Sequence, residues 1–138
     1  MISVIIPTYN RQDKTIKAVE SVLAQTYKDF ELIVVDDGST EDTSELESLV
    51  QDSGHFFISL DKNFGVSAAR NRGIEHSSNQ WLAFLDSDDL WHEDKLQKQV
   101  DFISENPDCK IFQCEEKWIR NGVFVNPRDI HKKPEGDA

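Results

Sequence analysis

Short apolar runs alternate along the chain with stretches whose apolar residues recur every three or four positions. Residues 2–6, 32–35, 56–60, 81–85 and 110–114 read as strands. The second, Leu32-Ile-Val-Val35, and the fourth, Trp81-Leu-Ala-Phe-Leu85, are nearly unbroken apolar runs, as expected of parallel strands covered on both faces. Helical spacing falls between them. Residues 15–25 place Ile16, Val19, Val22 and Leu23 on one stripe. Leu46, Leu49 and Val50 mark a second helix, with Ser39 and Asp42 as a capping pair before it. A third covers 66–76, with Asn63 or Ser67 near its start. A fourth covers 94–105, with Leu96, Val100 and Ile103 at i, i+4 and i+7, and Asn106-Pro107 stops it.

This order, βαβαβαβαβ, predicts an α/β fold: a mostly parallel, doubly wound sheet flanked by helices. The crossovers should be right-handed. Such sheets bind ligands beyond the carboxyl ends of their strands. Three polar clusters fall at that edge: Pro7-Thr-Tyr-Asn-Arg11, Asp36-Asp-Gly-Ser-Thr40 and Asp86-Ser-Asp-Asp89. Past Lys117 the pattern fades. Residues 118–125 read as a hairpin around Asn121-Gly122, a strong turn dipeptide. We therefore expect one domain over 1–125 and a polar tail over 126–138.

With 138 residues, 38% of them hydrophobic, the chain is long enough for one domain with a real core. The net charge of -11 disfavours nucleic acid as a partner, but not a small anion held by local cations or a metal. Cys109 and Cys114 form neither a CxxC pair nor a zinc pattern, so they read as thiols in a reducing compartment. Met1 leads straight into an apolar strand with no basic leader, and no run approaches the ~18 apolar residues of a membrane span. The expected location is cytoplasmic, free or peripheral at the cytoplasmic face of a membrane.

The aspartates carry the candidate chemistry. Asp86, Asp88 and Asp89 lie within four residues directly after an apolar strand. Carboxylates delivered together repel unless a cation neutralises them, and oxygen-only ligands suit Mg²⁺ or Mn²⁺. Those ions keep waters and bind substrate phosphates, so the cluster implies a metal-bridged phosphate ligand. In extended chain Asp86 and Asp88 point the same way, and Asp88, nearer the loop, is the better metal ligand; Asp89 is left to cap the next turn.

Asp36 could accept hydrogen bonds from a base or ribose, while Asp37, Ser39 or Thr40 could instead cap the next helix. Gly38 permits a tight backbone approach. Pro7 ends the first strand, Asn10 or Asp13 caps the helix after it, Tyr9 can stack on a base, and Arg11 can pair with a phosphate or an aspartate. In Asn63-Phe-Gly-Val-Ser-Ala-Ala-Arg-Asn-Arg-Gly73, the small residues Gly65, Ala68, Ala69 and Gly73 allow close helix packing. Arg70 and Arg72 lie about 200° apart on a helix, so only one can face a ligand; we assign Arg70 inward. His55, His76, His92 and His131 have no metal spacing and read as surface residues.

Together these segments resemble the inverting family 2 glycosyltransferases with the GT-A fold. The resemblance rests on Pro7-Thr-Tyr-Asn-Arg11, Glu31-Leu-Ile-Val-Val-Asp-Asp-Gly-Ser-Thr40, Asn63–Gly73 and Phe84-Leu-Asp-Ser-Asp-Asp89, in order over residues 2 to 105. It implies a truncated GT-A sheet and transfer of a sugar, with inversion, from a nucleotide-diphosphate donor to an acceptor hydroxyl. A UDP-sugar is the expected donor, and a sugar, lipid-linked or protein molecule the acceptor, in cell-surface polysaccharide biosynthesis. The resemblance implies a donor site of Pro7, Thr8, Tyr9, Arg11, Asp36, Asp37, Gly65, Arg70, Asp86 and Ser87. Within it Thr8, Tyr9 and Asp36 would hold the base, and Arg70 and Asp86 would sit near ribose and diphosphate. Asp88, in the family's DXD motif, would bind Mn²⁺ or Mg²⁺.

The family's catalytic base comes from an acceptor-binding half well downstream of the metal motif. Only 49 residues follow Asp89 here (90–138), and Glu115, Glu116 and Asp129 match no base motif. The expectation is therefore a donor-binding portion of a larger enzyme, able to bind donor with little transfer, and able to dimerise through an exposed sheet edge. A non-catalytic nucleotide-sugar-binding module is the alternative. A receiver-like signalling domain is the remote one: its acidic pair would follow the first strand, and Lys117 is a loose match to its lysine. A nicotinamide-binding domain would need a GxGxxG turn where Pro7–Arg11 stands.

Overall fold

The computed structural model describes residues 1–108, together with the backbone of 118–120 and 123–125. The chain divides into two units, Met1–Lys98 and Gln99–Ala138. The first holds a four-stranded sheet: β1 (Ile2–Thr8), β2 (Phe30–Asp36), β3 (Phe56–Ser59) and β4 (Trp81–Phe84). Its order is β3-β2-β1-β4 and every pairing is parallel. Helices α1 (Gln12–Leu23), α2 (Ser44–Asp52) and α3 (Val66–His76) form the crossovers, and α4 (Lys95–Glu105) follows β4 across the boundary between the units. In the second unit, β5 (Trp118–Arg120) and β6 (Val123–Val125) pair antiparallel, as the Asn121-Gly122 turn predicts. The expected strand at 110–114, both cysteines and the tail at 126–138 lie outside the described residues.

Strand alternation sorts the two faces of the sheet. Ile5 and Ile33 are in register, fully buried, and pack with Val35 and Ala69 beneath α3. A Cβ on Gly73 would lie 2.6 Å from the Ile5 side chain, so that glycine sets how closely α3 seats on β1. On the opposite face Thr8 hydrogen-bonds Thr15 of α1 at 2.7 Å. Val19, Val22, Leu46 and Val50 are fully buried there and supply the apolar stripes of α1 and α2. The segment before α4 is tied to the end of α1: the fully buried Gln25 accepts from the Leu96 N–H at 2.9 Å and donates to the His92 carbonyl at 2.6 Å.

Three local expectations are corrected. Pro7 does not end β1; it is paired with Val35 inside the strand. Ile5 turns its carbonyl toward the β4 side, and so does Pro7, two residues on; β4 pairing stops at Phe84 opposite Ile5, so no ladder bond is asked of the missing N–H. Neither Asn10 nor Asp13 caps α1, whose cap position is Arg11; at α2, whose cap position is Thr43, Asp42 does accept the N–H of the first helical residue, Ser44, at 2.9 Å, whereas Ser39 is turned to Asp36 and Asn10. Neither cap position makes a side-chain cap bond. β4 is also not covered like β2: among the described residues it has β1 as its one strand partner, and Phe84 is 44% exposed.

Candidate functional site

The carboxyl ends of β1, β2 and β4 meet the start of α3 around an open cleft of about 400 Å³. Pro7, Thr8, Tyr9 and Arg11 line it from β1 and the loop beyond. Asp37 lines it from β2, and Asn63, Gly65, Val66 and Ala69 from the approach to α3 and its first turn. Asp86, Ser87 and Asp88 close it from the loop after β4.

The two neighbouring aspartates of β2 divide their work. Asp36 is buried and its carboxylate is spent on Ser39, taking both the backbone N–H (3.1 Å) and the hydroxyl. It does not line the cleft. Asp37 does, and its two oxygens accept from the Phe64 N–H (2.8 Å) and the Gly65 N–H (2.9 Å). Next to it Gly38 has φ +74°, and a Cβ there would lie 2.3 Å from the Lys62 carbonyl carbon. Asp37 and Gly38 together dock the 62–65 loop on the end of β2, so Asp37 is turned to that loop rather than to the start of α2. Gly65, at φ +103°, then opens α3 in a backbone region that only glycine visits readily.

The acidic cluster is a tight turn rather than extended chain. The Asp89 N–H donates to the Asp86 carbonyl at 3.0 Å, so the alternation expected of Asp86 and Asp88 does not apply. Each of those two carboxylates meets a different arginine. Arg70 of α3 donates to Asp86 at 2.9 Å, and Arg11 approaches Asp88 at 3.6 Å. Arg72 turns away to Glu75, as the helical offset predicts. Arg70 does not itself line the cleft but supports a residue that does, and its Nε is buried without a partner among the described residues.

Asn63, Val66 and Ala69 belong to the cleft although the residue types alone did not single them out. Their place beside Gly65 in the same motif was the available signal. Among the described histidines, His92 is exposed beside Asp94, while His55 is stacked on Phe30 and accepts the Leu32 N–H, away from the site. Among the described residues no three His, Cys, Asp or Glu side chains gather as a complete metal cage.

A parallel α/β sheet with a polar cleft at its carboxyl edge, framed by acidic loops and two arginines, places that cleft where open α/β sheets bind their ligands. The family model for glycosyl transferase family 2 matches residues 3–130, and the chain belongs to that family. It is 50% identical over 124 residues, 90% of its length, to an uncharacterized glycosyltransferase of Rickettsia felis. It is 35% identical over 137 residues to the Escherichia coli UDP-Glc:alpha-D-GlcNAc-diphosphoundecaprenol beta-1,3-glucosyltransferase WfaP, covering 95% of this chain. Among solved structures, S. aureus TarS in complex with UDP-GlcNAc superposes with a TM-score of 0.72 at 29% identity, covering 77% of this chain and 32% of that one. The chain spans about a fifth of the Rickettsia relative and about half of WfaP. The expected fold class stands: the sheet is that of the GT-A glycosyltransferases, present in part.

Proposed function

We propose that this chain is the donor-binding part of an inverting, metal-assisted glycosyltransferase that takes a UDP-sugar. The observation that carries the reading is the single cleft in which Tyr9, Asp37 and the Asp86–Asp88 turn converge, with one arginine on each outer carboxylate. Tyr9 is 39% exposed and offers a ring face for a base. Asp37 lines the cleft and offers the lone pairs not taken by Phe64 and Gly65 to the base or ribose; Asp36, equally buried, does not line it. Arg70 and Arg11 bring positive charge to the diphosphate end of the cleft. The UDP-sugar names of WfaP and of the TarS complex support the choice of nucleotide.

Asp88 is the residue we assign to Mn²⁺ or Mg²⁺. Its carboxylate is half-exposed, faces the cleft and already attracts a cation, Arg11. One or two carboxylates suit an ion that completes its shell with waters and ligand phosphate oxygens. When bound, such an ion supplies charge neutralisation for the leaving diphosphate. The chain's own residues hold the donor: Tyr9 and Asp37 at the nucleoside, Arg70 through Asp86 at the diphosphate. The acceptor, a sugar, lipid-linked or protein hydroxyl, would attack the anomeric carbon from the opposite face as a carboxylate removes its proton. We place that carboxylate in the acceptor-binding part of the parent enzyme, and the enzyme at the cytoplasmic face of the membrane. Among the described residues no helix is long and apolar enough to cross one.

Calorimetric titration with UDP, GDP and dTDP, each with and without Mn²⁺, tests the reading. We expect metal-dependent binding of UDP in preference to the other two. If none of the three binds with or without metal, the donor assignment fails.

A further inference from the structure

Asn10 is the only non-glycine residue with positive φ (+49°) among the described residues, and it sits between two residues that line the cleft, Tyr9 and Arg11. Asparagine tolerates this conformation better than most residues, but holding it still costs energy that the surroundings must supply. Here they do. The Asn10 N–H donates to the Ser39 hydroxyl at 2.8 Å. Its side-chain oxygen accepts from the Thr40 N–H at 2.9 Å and the Glu41 N–H at 3.2 Å. Ser39 is in turn fixed by the buried Asp36 carboxylate. None of this capacity is turned toward the cleft. Asn10 fastens the loop after β1 to the loop after β2, and the residues it fastens are those on either side of it.

We infer that Asn10 is a positioning residue of the donor site: with Asp36 and Ser39 it locks the turn that presents Tyr9, and beside it Arg11, to the nucleotide. The inference rests on the donor reading above and adds a division of labour to it. Asp36 acts through Ser39 and Asn10 and touches no ligand, while Asp37 faces the cleft.

The test is a binding cycle. Asn10→Gly keeps positive φ accessible and removes the side-chain bonds; Asn10→Asp keeps the acceptor oxygens for Thr40 and Glu41. UDP affinity in the presence of Mn²⁺ is measured for wild type, both variants, Tyr9→Ala and the Tyr9→Ala/Asn10→Gly pair, with melting temperatures alongside. Asn10→Gly should weaken UDP binding by about tenfold in the wild-type background and by threefold or less when Tyr9 is already gone, since residues acting as one unit are not additive. Asn10→Asp should retain most of the affinity. An equal loss in both backgrounds, or no loss at all, overturns the inference and leaves the donor reading intact. Absence of UDP binding by the wild type overturns the donor reading itself, and this inference with it.

Discussion

Arg70 reaches from the second turn of α3 to donate to Asp86 at 2.9 Å, joining the helix to the loop that follows β4. The pair is 39% and 55% exposed, so it adds little to folding, under about 1 kcal/mol. On the proposed donor reading its value lies in bringing a guanidinium to Asp86, which lines the cleft. Arg70→Ala should therefore lower UDP affinity by roughly 10- to 100-fold, about 1.4–2.8 kcal/mol, with a small change in melting temperature. Arg70→Lys, which keeps the charge and loses the planar fork, should recover part of it. Calorimetry beside a thermal melt separates the two effects; an unchanged affinity would remove Arg70 from the site.

Asp88 and Arg11 make a second prediction about the cation. Arg11 stands 3.6 Å from the carboxylate proposed to hold the metal, with both side chains about half exposed. Arginine and metal cannot both occupy that side of Asp88. Asp88→Ala should abolish the effect of Mn²⁺ on UDP binding. Arg11→Ala should strengthen binding of Mn²⁺ alone by a few-fold, since a surface ion pair is worth about 0.2–1 kcal/mol, while weakening UDP. Titration of Mn²⁺ followed by its paramagnetic signal reads the first effect without nucleotide. Weaker Mn²⁺ binding in Arg11→Ala would show that the arginine does not compete.

Gly38 and the 62–63 backbone are packed more closely than any side chain permits. An alanine there would place its Cβ 2.3 Å from the Lys62 carbonyl carbon and 2.6 Å from the Asn63 nitrogen, at a φ of +74° that alanine avoids. The obstacle is backbone, so it cannot rotate away. Gly38→Ala should cost at least about 2 kcal/mol, combining left-handed strain with displacement of the loop that Asp37 holds. A urea denaturation midpoint reads the loss. Stability within about 0.5 kcal/mol of wild type would show that the loop re-docks freely.

The parts of the fold legible in the sequence were those written in local pattern. The apolar runs located all four strands of the sheet, and the 66–76 periodicity matched α3 from end to end because Gly65 and Ser77 bound it sharply. The convergence of three polar loops followed from topology alone. What the sequence did not disclose was which side chains would spend their hydrogen bonds on distant partners. Ser39 has the composition of a cap but gives its hydroxyl to Asp36 and receives the Asn10 N–H from 29 residues away. Asp36 and Asp37 are indistinguishable as letters and both are buried; their partners separate them, Asp36 bonding Ser39 and Asp37 bonding Phe64 and Gly65 at the cleft. Asp86–Asp89 form a turn because β4 ends at Phe84, a boundary that the apolar Leu85 conceals.

His55 and Glu31 each make stability depend on pH. The His55 Nδ1 accepts the Leu32 N–H at 3.1 Å while its ring stacks on Phe30, an arrangement that needs the neutral imidazole. Burial pushes its pKa below the ordinary 6.5, against the pull of the nearby Glu31 charge. The unfolded chain then takes up the proton first, so this contribution is full above about pH 6.5 and is lost as pH falls through the lower folded value. Burial also pushes Glu31 upward, but hydrogen bonds from Ser3 and Ser78 outweigh it and hold the carboxyl below 4.5. Its contribution is therefore present above 4.5 and lost only at more acid pH. Melting temperature should fall in two stages on acidification, the first between pH 7 and 5. His55→Asn, whose side-chain oxygen can still accept from Leu32, should flatten the first stage and leave the second. If the variant follows wild type through both stages, the sensitivity near neutrality does not come from His55.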